Sequence, residues 1–394
     1  MEYKKVVLKP KEDIRIRRGD LWIYDNEILT KTKNFQKGEI VKVFNSEMSF
    51  VGIGYINSES KITIRILTRH EDDKVDEKFF RKRIEISDKM RKTVRADNKF
   101  YRMVYAESDF LPGLVVDRFD NYLIVQITTA GMERFKHHVF DILKDIYPES
   151  IIIEKSIGNS RAKEGLKNIN RIITKNSTSK TIINVNEIRF GVDFLKSQKT
   201  GFFLDQRDNY LLIKNISKNR EVLDVFSYLG AWGLHAYKFG AKNVNFIEIS
   251  EEFINQTSDN VKLNEFKDSD FEYTRADAIK HLKILSKSNI KKDLIILDPP
   301  AFVKSRSRVR QAMRGYKEIN LRALKILNPN SYLISCSCSH FLSKNDFIKV
   351  IYEASLDAKR RIKLITFNHQ PYDHSILLPM FQSEYLKCGL FFVY

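Results

Sequence analysis

The second half of the chain carries the pattern that most restricts what it can fold into. From about Glu187, short unbroken apolar runs alternate with stretches of helical period: Val222-Leu223-Asp224-Val225-Phe226, Val244-Asn245-Phe246-Ile247-Glu248, Asp293-Leu294-Ile295-Ile296-Leu297-Asp298 and Ser331-Tyr332-Leu333-Ile334-Ser335-Cys336. Strands this short and this continuously apolar are buried on both faces, which means a parallel sheet with helices on either side. Ligands of such sheets bind beyond the carboxyl ends of the strands. Asp224, Glu248, Asp277, Asp298 and Cys338 all fall at or just past those ends.

The first half reads differently. Glu39–Phe44, Phe50–Tyr55 and Ile62–Leu67 are short alternating strands separated by Asn-Ser turns, and they predict a small basic β-barrel over residues 1–70. Phe79, Phe80, Ile84, Ile86 and Met90 recur near helical spacing and predict a helix from about Val75 to Val94, whose basic residues read as a solvated face rather than an RNA contact. Strands at 101–105, 111–117, 122–127 and 151–154, with a helix from about Met132 to Leu143, make residues 71–186 an α+β middle domain. The α/β sheet then occupies 187–394, so the whole reads as an α/β protein of three domains.

Composition narrows the partners. In 394 residues, 68 Lys and Arg stand against 50 Asp and Glu, a formal net charge of +18, and nucleic acid is the commonest polyanion for such a surface. The three cysteines, Cys336, Cys338 and Cys388, are too few for a disulfide-built secreted fold. The start of the chain has no apolar leader, and no run is long enough to cross a membrane, so the expectation is a cytoplasmic protein without membrane partners.

The first strand-to-helix turn reads Asp224-Val225-Phe226-Ser227-Tyr228-Leu229-Gly230-Ala231-Trp232-Gly233. Glycines three apart let a backbone approach a flat ligand, or simply let a helix pack closely. No Gly-Lys-Ser/Thr follows, so a triphosphate is poorly served, and a dinucleotide site lacks its third glycine. Glu248, at the end of the next strand, can accept the hydroxyls of a ribose. Asp277 can meet an adenine amino group or cap the helix that follows it. Asp298-Pro299-Pro300-Ala301-Phe302 stops its strand abruptly and holds a carboxylate and a ring at the sheet edge, where a base can be hydrogen-bonded and stacked. Lys304, Arg306, Arg308 and Arg314 follow it and suit phosphates. In Ser335-Cys336-Ser337-Cys338-Ser339-His340, Cys336 reads as a small hydrophobe and Cys338 as a nucleophile at the same edge as Asp298. Metal binding is not expected, because no second Cys or His pair stands at ligand spacing.

Taken together, Asp-x-Phe-Ser-Tyr-x-Gly-x-x-Gly, Asp-Pro-Pro-x-Phe and Ser-Cys-Ser resemble the class I S-adenosylmethionine-dependent methyltransferases of 23S ribosomal RNA that make 5-methylcytosine, the large-subunit methyltransferase I family. Lys199–Arg207, Leu111–Asp117, and His374 to Pro379 followed by Glu384-Tyr385-Leu386-Lys387 are similar to further signatures of that family, so the resemblance spans nearly the whole chain. It implies a PUA domain, an EEHEE-type middle domain and a Rossmann-like methyltransferase domain, with large-subunit rRNA as partner and room for a homodimer. It further implies that Phe203, Asp205 and Arg207 close over S-adenosylmethionine. Ser227 and Gly230 would lie against its methionine part, with Glu248 at the ribose and Asp277 at the adenine, and Asp224, Phe226 and Asp298 would also belong to the cofactor-binding set. Asp298 would steady the base, and Phe302 with the cations after it would hold RNA. The two-cysteine RNA cytosine methyltransferases of another branch carry a cysteine in the fourth-strand turn. Here that place is Ala301 or Phe302, which leaves the base that removes the C5 proton unassigned.

The expected chemistry is addition of Cys338 to C6 of an unstacked cytosine, methylation at C5 and loss of the C5 proton. Two alternatives stand beside it. One is methylation of an exocyclic base amine, which needs no thiol; the other is a non-catalytic RNA-binding assembly factor.

Overall fold

A computed structural model describes residues 3–94, 99–302 and 308–394. The chain forms two compact units. The first comprises residues 1–181, 192–204 and 372–383; the second comprises 182–191, 205–371 and 384–394.

The first unit contains two five-stranded sheets. In one, strands Lys4–Val7, Glu39–Phe44, Phe50–Ile56, Ile62–Thr68 and Trp22–Tyr24 lie side by side in that order. Its core of Val6, Leu8, Ile16, Ile23, Val41, Val43, Ile64 and Ile66 is almost fully buried. In the other, the order is Ile169–Ile172, Ile151–Ser156, Tyr122–Ile127, Leu114–Phe119 and Phe100–Tyr105. The single parallel pair there, Tyr122–Ile127 with Ile151–Ser156, is bridged by the helix Ala130–Ile146, whose Thr129 cap accepts from the Met132 amide. The helix predicted from about Val75 runs from Glu77 to Val94 and buries Phe80 and Ile84 in the core of this second sheet. Its last turn carries Arg91, which is fully buried and donates both to the Asp109 carboxylate at 2.8 Å and to the Asp373 carbonyl at 3.2 Å.

The second unit is built on one seven-stranded sheet. Its elements are β1 (Glu221–Val225), α1 (Ala231–Lys238), β2 (Asn243–Glu248), α2 (Glu251–Leu263), β3 (Phe271–Arg275), α3 (Ala278–Leu285), β4 (Lys292–Leu297), α4 (Val309–Ile326), β5 (Leu327–Ser337), α5 (Lys344–Asp357), β6 (Ile362–Asn368) and β7 (Lys387–Val393). The strand order is β3-β2-β1-β4-β5-β7-β6. Strands β1 to β5 are mutually parallel, as their apolar composition requires, whereas β7 runs antiparallel between β5 and β6. That antiparallel strand is absent from the sequence-based reading, and it sets Lys387 opposite Ser337. The order reverses at β1 and β4, which opens a crevice beyond their carboxyl ends.

Two glycines let α1 sit against its neighbours. A Cβ on Gly233 would lie 2.3 Å from Phe246 Cε1 and 2.7 Å from Val244 Cγ1, both on β2. A Cβ on Gly230, where φ is +77°, would lie 2.5 Å from Thr257 Cγ2 on α2. Among the described residues, no helix is long and apolar enough to cross a membrane. We expect Gly233→Ala to destabilise the protein by about 1–3 kcal/mol, because α1 must lift from β2 to admit one methyl group. Thermal unfolding of wild type and variant measures this, and an unchanged midpoint would mean that the glycine is not needed for packing.

Candidate active site

The turn after β1 is wound tightly: Phe226, Tyr228 and Gly230 all take positive φ, at 65°, 51° and 77°. The amides of Phe226 and Ser227 donate to the Ile247 carbonyl on β2 at 3.0 and 3.2 Å, which locks the turn to the neighbouring strand. Gly230 and Gly233 thus have the packing role that the sequence left open, and at Gly230 the left-handed backbone adds a second reason for glycine. Beneath the turn, Asp224 is fully buried. Its Oδ2 accepts from the Gly233 amide at 2.9 Å, while its Oδ1 and the nearby Ser227 Oγ are buried without a partner. Burial pushes the Asp224 carboxyl up to about 7, opposed by the Gly233 amide and reinforced by the charges of Asp298 and Glu248.

Glu248 closes β2 and is anchored from three sides. Oε2 accepts from the Tyr228 amide at 3.0 Å, and Oε1 from the amides of Ile249 and Ser250 at 2.9 and 3.0 Å. Asp277 is exposed and accepts from the Lys280 amide at 2.9 Å, so it caps α3. At the end of β4, both oxygens of Asp298 accept from Gln206 Nε2 at 3.0 Å, and Oδ2 also accepts from Trp232 Nε1 at 3.1 Å. Asp205 accepts from the Tyr385 hydroxyl at 2.6 Å, and Arg207 is almost fully buried. Phe203 belongs to the first unit, where Lys199 Nζ stands 4.4 Å from its ring.

The three cysteines differ. Cys336 and Cys388 are buried with their sulfurs 3.4 Å apart, and burial drives the Cys336 thiol well above its ordinary range. Cys338 lies just past β5, partly exposed, with Sγ 4.0 Å from the Pro299 carbonyl of the turn after β4. Its neighbours on either side are both held by one group: the Tyr316 hydroxyl of α4 accepts from Ser337 Oγ at 2.8 Å and pairs with Ser339 Oγ at 2.9 Å. Lys387, on β7, is buried and donates to the carbonyls of Ser339 and Tyr385 at 2.9 and 2.8 Å. Burial lowers its ammonium to about 8, against the opposing pull of Cys338 and Glu384.

Not every expected residue converges here. The Phe302 ring packs on Tyr316, with centroids 4.8 Å apart, in a space kept open by Gly315. Arg308 and Arg314 are exposed at the start of α4 and make no ion pair among the described residues, whereas Lys304 and Arg306 lie outside the described residues. Gln206, Trp232, Tyr316 and Lys387 escaped assignment from sequence. Each acts through a partner far away in the chain, which residue spacing does not reveal.

This geometry predicts selective thiol chemistry. Iodoacetamide on the native protein should alkylate Cys338 and spare Cys336 and Cys388, as read by peptide mass spectrometry. Lys387→Met should move the pH midpoint of Cys338 alkylation upward by about one unit, because an adjacent cation favours the thiolate. An unmoved midpoint would remove Lys387 from the account of that thiol.

Comparison with known proteins agrees with the fold. A family model described as a PUA-like domain matches residues 6–69, and one described as an S-adenosylmethionine-dependent methyltransferase matches residues 173–360. Ribosomal RNA large subunit methyltransferase I of Shewanella frigidimarina is 34% identical over 387 residues, covering 97% of this chain and 98% of that protein. The protein of the same name from Alteromonas mediterranea is 32% identical over 385 residues, covering 97% of each. A candidate methyltransferase solved in complex with SAH superposes with a TM-score of 0.85 at 18% identity, covering 99% of this chain and 100% of that one, a likeness of fold. The chain therefore belongs to the ribosomal RNA large subunit methyltransferase I family and is an S-adenosylmethionine-dependent methyltransferase.

Proposed function

We propose that this enzyme methylates C5 of a cytosine in large-subunit ribosomal RNA through a covalent bond between Cys338 and C6. One observation carries the reading: Cys338 is the partly exposed cysteine, and its sulfur sits 4.0 Å from the Pro299 carbonyl, next to Asp298. The names of the 32–34% identical relatives support ribosomal RNA as the substrate. In this reading the three sequence segments divide the labour, with 1–70 and 71–186 handling RNA and 187–394 carrying the chemistry.

The crevice residues fit the cofactor. Asp224 Oδ1 and Ser227 Oγ are buried polar atoms that lack partners, and a carboxylate with a hydroxyl matches the ammonium and carboxylate of a methionine moiety. Glu248, oriented by three amides, keeps acceptor capacity for ribose hydroxyls. Asp205 and Arg207 would close the site, and Asp277, beside its capping bond, would meet the adenine amino group. When bound, the cofactor supplies an electrophilic methyl group on a sulfonium. The protein's part is to make the acceptor carbon nucleophilic. The Cys338 thiolate adds to C6, which places carbanion character on C5; after methylation, loss of the C5 proton restores the double bond and releases the thiolate. Asp298, fixed by Gln206 and Trp232, accepts from the base and holds it in register.

RNA carrying 5-fluorocytosine, which cannot lose its C5 substituent, should trap wild-type protein as an adduct stable to denaturing gels, and Cys338→Ala should not be trapped. Absence of the wild-type adduct, or methyl label on an exocyclic amine with activity retained in Cys338→Ala, would replace this mechanism by direct attack from nitrogen. Asp224 supplies a second test. Its carboxyl is neutral below about 7, and an ammonium prefers it ionised, so affinity for S-adenosylmethionine should rise with pH, by about tenfold per unit on the acid side. Calorimetry on Asp224→Asn should find weaker binding with that rise removed.

A further inference from the structure

A cavity of about 700 Å³ opens on the first unit, between the helix Glu77–Val94, the stretch around Thr68 to Lys74 and the turn at Ser108 to Phe110. We propose that it is a binding site for a short single-stranded segment of RNA. It rests on the reading of residues 1–70 and 71–186 as the part that handles RNA and gives that part a specific place, but it does not depend on Cys338.

Arg83, Phe79 and Phe110 form a cation-aromatic group in the lining of the cavity. The Arg83 guanidinium lies over the Phe79 ring, 4.1 Å from its centroid, and 5.8 Å from that of Phe110. It donates to the Phe110 carbonyl and has no carboxylate partner among the described residues, although burial pulls its pKa down to about 10. Phe110 itself is held in the left-handed region, at φ 56°, and the residue remains 40% exposed. A bulky residue there carries strain, and what the backbone holds at that cost is an aromatic residue open to solvent. Ile86, 59% exposed, extends the apolar wall.

The rim is cationic, and we read the helix's basic residues that line it as RNA contacts, in place of the solvated face expected from the sequence. Lys74, Lys78 and Lys82 are exposed and make no ion pair among the described residues, and the last two lie four apart on one face of the helix. The acids of the lining are already committed. Asp109 takes Arg91, Asp73 accepts from Thr68 Oγ1 at 2.5 Å, and Asp76 accepts from the Phe79 amide at 3.0 Å. Exposed rings and a guanidinium plane stack on bases irrespective of sequence, and free lysines meet the backbone phosphates. A duplex keeps its base faces covered, which selects the single strand.

The test measures anisotropy of a labelled RNA 12-mer and of the same sequence paired in a duplex, with the full-length protein over a range of salt. Lys78→Gln with Lys82→Gln should weaken single-strand binding at least tenfold. It should also lower the slope of log affinity against log salt by about 1.4, two contacts at ~0.7 each. The pair Lys144→Gln and Lys163→Gln, exposed elsewhere on the same unit, should leave both quantities unchanged. Phe110→Asn, which tolerates the left-handed backbone, should weaken binding about tenfold without changing the slope, and Phe110→Tyr should restore it. The proposal is overturned if the Lys78/Lys82 pair behaves like the control pair, if Phe110→Asn binds as wild type, or if the duplex binds as tightly as the single strand. Unchanged RNA binding with lost binding to phosphatidylserine vesicles would also overturn it and make this a membrane face.

Discussion

The placement of Cys338 in the second unit turns on one buried hydroxyl. Tyr316 is completely enclosed, and burial pushes its phenol up to about 12, so it stays neutral and must find hydrogen-bond partners inside the protein. It finds them in Ser337 and Ser339, the two residues flanking Cys338. Both shoulders are tied to α4, and the residue between them lies against the Pro299 carbonyl of the turn after β4. Lys387 completes the arrangement by donating to the Ser339 carbonyl. The neighbours' polar groups thus fix the chain on either side of the cysteine, whose own sulfur lies 4.0 Å from the Pro299 carbonyl.

The same edge concentrates negative charge. Asp224, Glu248 and Asp298 come from three adjacent strands, and the first of them feels the other two. Such a cluster is costly in a poorly solvated place, and the protein offsets the cost with donors: four backbone amides, Gln206 and Trp232. The compensation is incomplete at Asp224, whose second oxygen has no partner. A site with surplus negative charge and a spare acceptor suits a cationic ligand. That is the physical complement of a sulfonium carrying an amino-acid tail.

In the first unit, buried charges serve structure instead. Arg91 reaches Asp109 and the Asp373 carbonyl, and Arg65 reaches Glu164 at 2.9 Å, each pairing residues distant in sequence. Breaking such pairs strands a charge in the interior, so they define which segments must lie together. Against this background the lysines around Phe79 and Phe110 stand out, because they make no ion pair among the described residues while the lining's acids do have partners.

Much of the architecture was legible locally. The parallel strands announce themselves by unbroken apolar runs, and the residues at their ends follow at once, because in a parallel sheet covered by helices the carboxyl ends share one edge. Asp224, Glu248, Asp298 and Cys338 could therefore be assigned to that edge from one-dimensional information. Other features were ambiguous for a stated reason. Gly230 and Gly233 satisfy close packing and ligand approach with the same missing atom, and Asp277 caps a helix with the same carboxylate that could meet a base. The tertiary structure alone decided three things: that β7 enters antiparallel between β5 and β6, that Lys387 therefore stands opposite Ser337, and that Phe302 turns onto Tyr316. Each is a pairing between segments far apart in the chain. Local sequence specifies which face of a strand is apolar, but not which distant strand or ring will cover it.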